Sequence, residues 1–287
     1  MSRIAALRKF LGEAPWHLWT AQVAAILRIE LSRNLRHRRA IWLYLLSAGP
    51  VVLIAGHAIQ SPFGRHCNLE GDTRILAWLF QFVYLRVVIF FGCMGLFTWL
   101  FRGEIVQKSL HYYFLAPVRR QVLVVGKFLS GLATAAIIFG ASILLSFTLM
   151  YVHLGSPGVA YVLHGPGLGQ LGAYLGVTLL ACLGYGAIFV TLSLFIKNPI
   201  IPGAFVFLWE TFHPVFPAFL QKLSVMFYLQ QLCPVSVPPE GGMALFTVIV
   251  EPVPAWVAVP GLLCLSVVML VIACLRIRKM EISYLAD

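Results

Sequence analysis

Apolar residues fill long uninterrupted runs along this chain, and the polar residues are gathered between them. The runs cover roughly 41–59, 77–101, 122–152 and 171–196, a fifth starts at 200, and a sixth covers 255–275. None alternates with a period of two. A run of about 20 apolar residues is the length of a helix that crosses a bilayer, and lipid admits only structures that satisfy their own backbone hydrogen bonds. The pattern therefore predicts an all-α polytopic membrane protein with six transmembrane helices. Pro50 predicts a kink in the first. Pro214 and Pro217 interrupt the fifth after about 14 residues, or roughly 21 Å of helix, so it is expected to be kinked and to lead into an external helical segment. That segment, 221–254, carries Pro234, Pro238, Pro239, Pro252 and Pro254 and is too broken for a full span, which leaves open a dip into the outer leaflet.

Before the first run, Trp16, Trp19, Val23, Ile26, Leu27 and Leu31 recur near helical spacing, and Arg28, Arg33, Arg36, Arg38 and Arg39 crowd the end of the stretch. This predicts an amphipathic helix lying in the membrane interface, with a helix packed on the rest of the protein as the alternative. The domain plan is then a cytoplasmic tail and interfacial helix over 1–40, a six-helix membrane domain over 41–275, and a cytoplasmic tail over 276–287. The first 40 residues are basic and have no small-residue cleavage site, so no signal peptide is expected.

Composition agrees with lipid as the solvent: 60% of residues are hydrophobic and 11% charged. A soluble domain carries about 25% charged residues. The net charge of +11 does not indicate nucleic acid, because the basic residues sit at the ends of apolar runs. With both termini inside, 17 of the 21 Lys and Arg residues fall on the cytoplasmic side and three (Arg65, Arg74, Lys222) outside, which sets the orientation. The expected location is the cell membrane, the inner membrane in a bacterium.

Six cysteines form no CxxC pair and no zinc-spaced cluster with histidine. Cys93, Cys182, Cys264 and Cys274 fall in or at the ends of apolar runs and read as packing residues. Cys67 and Cys233 both fall outside, which leaves a disulfide between them open. His57, His66, His153 and His164 fall at or beyond the outer ends of spans and read as interfacial residues, not ligands. A Gly172–Gly176 pair has the spacing of a close helix contact.

Between the second and third runs lies RGEIVQKSLHYYFLAPVRRQVLVVGKFLSGL, residues 102–132. Glu104, an amphipathic stretch around 105–114, Leu115-Ala116-Pro117, Arg119-Arg120 and Gly126-Lys127 follow in the order found in ABC-2 type transporter permeases, which this chain resembles. The basic interfacial helix, the six spans and the external segment resemble that family's layout too. The resemblance implies a permease subunit of an ABC exporter, working as a homodimer or with a second permease. It implies a cytosolic ATP-binding cassette subunit that docks on the 102–120 segment, the coupling helix, and cargo such as a drug, lipid or glycan. The docking candidates are Arg102, Glu104, Lys108, Leu110, Tyr112, Tyr113, Phe114, Pro117, Arg119 and Arg120, where charge steers the encounter and aromatic side chains anchor it. The chain lacks a GxxxxGK[ST] loop, since Gly126-Lys127 is followed by Phe128, so ATP and Mg²⁺ belong to the partner and this chain is expected to hold no cofactor, no metal and no catalytic residue.

Two charges fall within spans, Arg86 and Glu210, each near the expected midplane. Their opposite signs and matched depth predict an ion pair, within one subunit or across a dimer. The competing readings are that Arg86 meets anionic cargo, or that Glu210 is protonated and bonded to His213. Arg86 and Glu210 also sustain the alternative of a secondary transporter or channel. An intramembrane enzyme is a weaker alternative, because the Glu210-x-x-His213 spacing lacks further ligands and no HExxH or GxSxG is present.

Overall fold

The computed structural model describes residues 15–38, 40–60, 68–107, 109–115, 117–196, 198, 200–237 and 253–280. Every regular element among them is helical. The helices are α1 (Trp16–Arg36), α2 (Ala40–Gln60), α3 (Leu69–Val106), α4 (Leu110–Leu115), α5 (Arg120–Val152), α6 (Ser156–His164), α7 (Gly167–Phe195), α8 (Ile200–Phe212), α9 (Ala218–Gln221), α10 (Val225–Leu232) and α11 (Ala255–Arg278). Five of these, α2, α3, α5, α7 and α11, are long and apolar enough to cross a membrane. This is the architecture of a multi-pass membrane protein. α8 is apolar but too short to cross by itself.

α3 and α7 form the centre of the bundle, each with 61% of its most apolar window buried, whereas α2 and α11 lie at the edge with 28% and 22%. Large residues from α3 meet small ones on its neighbours. A β-carbon added at Gly131 of α5 would lie 2.8 Å from the Phe97 ring, and one at Gly186 of α7 would lie 2.6 Å from it, so these glycines let three helices close around Phe97. The Gly172–Gly176 pair does not serve this purpose, because no neighbouring helix comes within 4 Å of either position. The close approaches to α7 fall instead at Gly184, which meets Val225, and at Gly186, which meets Phe97.

α3 is longer than the second apolar run predicts. It extends at its N-terminal end to Leu69 because Asn68 caps it, accepting from the Gly71 N–H at 2.6 Å, and because Glu70 and Asp72 sit in its first turn where the helix dipole favours acidic side chains. Its middle, Phe80–Ile89, is π-helical. The wider turn occurs in the stretch that carries Arg86, as such segments often do at functional positions.

Beyond α8 the chain does not leave the bundle at once. The 3₁₀ turn His213–Val215, α9 and α10 continue along α3 and α7. Gly203 meets Met94, Val225 meets Gly184, and the Gln81 amide donates to the Val235 carbonyl at 2.8 Å. These contacts run toward the N-terminal end of α3. The first part of the segment expected over 221–254 forms α10, which is packed against α7 and α11 with Val225, Met226, Phe227 and Leu229 buried. Residues 238–252 lie outside the described residues.

Candidate functional site

The polar groups of greatest chemical weight form three clusters, and the first joins the interfacial helix to the 102–120 segment. α1 lies along the start of α5, with Ile26 against Gly126. This brings Glu30 of α1, Glu104 near the end of α3 and Lys127 of α5 together beneath Tyr113 of α4. The Lys127 Nζ donates to Glu30 Oε1 at 2.7 Å and to Glu104 Oε1 at 2.6 Å. Arg33 reaches Glu30 Oε2 at 2.7 Å and donates to Glu104 Oε1 at 2.9 Å. The Tyr113 hydroxyl donates to Glu30 Oε1 at 3.0 Å, and its ring lies 4.6 Å from the Lys127 ammonium. Lys127, Glu30 and Glu104 are 0%, 1% and 2% exposed.

Two carboxylates and two cations give a set with no net charge, which is the condition under which buried charges are tolerated. Burial by itself would lower the Arg33 guanidinium, but its hydrogen bond to Glu104 and the charges of Glu30 and Glu104 outweigh this and raise it. Burial, and then the charges of Glu30 and Glu104, push the Tyr113 phenol well up. Tyr113 therefore stays a donor.

The remaining residues of the expected coupling segment fall around this cluster. The expected helix near 105–114 is divided: Ile105 and Val106 complete α3, and α4 begins at Leu110. Glu104 is placed inside the protein rather than on a docking surface, because two cations draw it in. Arg102 is partly buried on α3 and Tyr112 is exposed. The Pro117 carbonyl accepts from the Gln22 side chain at 3.1 Å, and Arg119 stacks 4.6 Å over the Trp19 ring. Arg120 donates to the Met280 carbonyl at 2.8 Å beyond the end of α11. Lys108 and the side chains of Leu110 and Phe114 lie outside the described residues. Glu30 was missed by sequence reasoning. Its signal was that it is the sole acidic residue in a helix carrying three arginines, with Arg33 three positions on.

The second cluster surrounds Glu210. Its carboxylate accepts from the Val225 N–H at 3.1 Å, the Met226 N–H and the Ser224 hydroxyl at 2.8 Å, and the Tyr185 hydroxyl at 3.4 Å. It thus caps the N-terminus of α10, where the orphan N–H groups and the dipole favour an anion. Arg86 lines the same cavity of about 10 Å³, beside Phe90, Tyr185 and Met226. Among the described residues no ion pair joins Arg86 to Glu210; the Arg86 guanidinium lies 5.1 Å over the Phe82 ring and its Nε has no hydrogen-bond partner. The expectation of an ion pair within one subunit is corrected: α10 supplies the donors that Glu210 was expected to find in Arg86. The reading that bonded Glu210 to His213 is corrected as well, because the His213 Nδ1 meets the Glu210 backbone carbonyl at 2.8 Å, not its carboxylate.

The third cluster lies at the opposite end of α3 from Glu104 and joins His57, Asp72 and His153. Of the two cysteines between which a disulfide was left open, Cys67 lies outside the described residues; the Cys233 thiol donates to the Leu229 carbonyl at 3.3 Å, and burial pushes it up to about 12.

Neither family models nor curated proteins match this chain.

Proposed function

We propose that this chain is the membrane permease subunit of an ABC-2 type exporter, driven by a separate ATPase that docks beside α4. The observation that supports this most is the buried Lys127–Glu30–Glu104–Arg33 cluster. It ties the segment between α3 and α5 to the interfacial helix and to two spans at one point. A push on α4 is then delivered to α1, α3 and α5 together, because a buried charge set cannot be pulled apart cheaply. The exposed Tyr112 and Leu115 of α4 offer an apolar contact for the partner.

In this reading α8 and α10 act in series as a sixth, discontinuous span with both termini cytoplasmic. The Glu210 carboxylate joins its two halves, and half-helix termini at mid-depth are a recurring feature of transport paths. Exported cargo would be a drug-like, lipid or glycan molecule, and two permease copies would line one path. Photo-crosslinking from position 112 in vesicles containing the candidate ATPase tests the reading. The expected result is a crosslink to the ATPase that changes with ATP, and ATP hydrolysis stimulated by the permease. Absence of both would overturn it.

A further inference from the structure

The cluster of His57, Asp72 and His153 lies where the ends of α2 and α5 meet the first turn of α3. The His57 Nε2 is 3.2 Å from Asp72 Oδ1, and the His153 Nε2 is 3.2 Å from Asp72 Oδ2. The three ligand atoms all fall within 4.8 Å of one another. The two imidazole rings meet edge to face with centroids 5.7 Å apart. The Asp72 side chain is 3% exposed and that of His153 is 9% exposed.

Two features of this cluster suit side chains that share an ion. His153 Nδ1 lies 3.2 Å from the Leu149 carbonyl, which can only accept, so Nδ1 carries a proton. Nε2 is then the ring atom that faces the carboxylate and offers a ligand position. Second, despite the 3.2 Å separation, neither Asp72 Oδ2 nor His153 Nε2 has a hydrogen-bond partner among the described residues. Their lone pairs are misaligned for a bond to each other, as they are when two ligands converge on a third atom.

We infer that His57, Asp72 and His153 form a binding site for a divalent transition metal, with zinc as the fitting ion. Two imidazole nitrogens and one carboxylate are a zinc donor set, and water completes the tetrahedron. Ligands about 2.0–2.1 Å from zinc stand about 3.3 Å apart along a tetrahedral edge, close to the 3.2 Å between His57 Nε2 and Asp72 Oδ1, while the other oxygen of the same carboxylate faces His153. The Leu149 carbonyl supplies the outer hydrogen bond that orients a metal-bound histidine. A bound ion would clamp α2, α3 and α5 at the end that charge distribution places outside. This site is independent of the transport reading and stands or falls separately from it.

The test uses the full chain, purified in detergent without a polyhistidine tag and stripped with a chelator. After addition of Zn²⁺ and desalting, about one zinc per chain should remain and the melting temperature should rise. Co²⁺ on the unaltered protein should give the intense visible bands of a tetrahedral nitrogen–oxygen site, a readout that does not depend on any variant folding. His153→Gln should weaken zinc binding at least tenfold, since even outer-shell changes cost 10–100-fold, while His164→Gln leaves it unchanged. Retention of less than about a tenth of an equivalent, an octahedral Co²⁺ spectrum, or equal binding by His153→Gln would overturn the site.

Discussion

The ammonium of Lys127 lies 2.6 Å from the carboxylate of Glu104, with neither side chain in contact with solvent. The two residues belong to different spans, and the segment between them is the one expected to receive the ATPase. In the proposed function, their contact is where a force applied to that segment would enter the membrane domain.

Lys127→Met leaves Glu30 and Glu104 facing only Arg33. Loss of one partner from a buried charge set costs about 3–5 kcal/mol. The variant should show a large fall in thermal stability in detergent. Lys127→Met combined with Glu104→Leu leaves the balanced Glu30–Arg33 pair and should recover much of that loss. An unchanged melting temperature for Lys127→Met would show that the cluster carries no structural weight.

Glu210→Leu removes the acceptor of two backbone N–H groups and a hydroxyl at the start of α10. Hydrogen bonds to charged groups are worth about 1.5–3 kcal/mol each, and unsatisfied buried donors add to the cost. We expect a severe loss of stability, with a smaller one for Glu210→Gln. Because Arg86 is not in contact with Glu210, the double change with Arg86→Leu should recover less than about 1 kcal/mol. Recovery of most of the loss would mean that the two charges pair in a state other than this one.

Tyr113 has a raised phenol in the folded protein, so between pH 10 and higher values the unfolded chain releases a proton that the folded one keeps. Stability is lost as pH rises through that window. Tyr113→Phe has no such proton and should show a shallower decline above pH 10 in thermal melts. Identical alkaline slopes for the two proteins would contradict the placement of Tyr113 over Glu30.

The orientation is checked with single cysteines in a background lacking the native ones. Asn68→Cys and Ala160→Cys should react with an impermeant reagent in intact cells, and Lys108→Cys only after permeabilisation. Labelling of position 108 in intact cells would invert the topology.

Much of the bundle was legible in advance because lipid imposes a long apolar run on every crossing. The runs at 41–59, 122–152 and 255–275 coincide closely with α2, α5 and α11. α3 was underestimated, since its first turns carry Glu70, Asp72 and Arg74 and their helical signal is capping by Asn68 rather than hydropathy. Pro214 and Pro217 marked the break after α8, but hydropathy carries no information on whether the chain then leaves or stays. The polar clusters were less accessible. Glu104, Tyr113, Lys127, Arg86 and Glu210 each stood out as unusual positions, whereas their partners did not: Glu30 lies more than 80 residues from Tyr113 and Lys127, and Ser224 and the Val225 and Met226 amides reach Glu210 only because the chain folds back after Pro214 and Pro217.

The sequence by itself determined that this protein is helical, that its runs are long and apolar enough to cross a bilayer, and which end of each run carries positive charge, because all three depend on composition over about 20 neighbouring residues. Only the tertiary structure decided which charges meet. Glu30, Glu104 and Lys127 are joined by the packing of α1 and α3 on α5, His57, Asp72 and His153 by the meeting of three helix ends, and Glu210 is taken from Arg86 by the folding back of α10. A buried charge is satisfied by whatever donor or acceptor lies within about 3 Å of it, and distance in space is set by helix packing rather than by spacing along the chain.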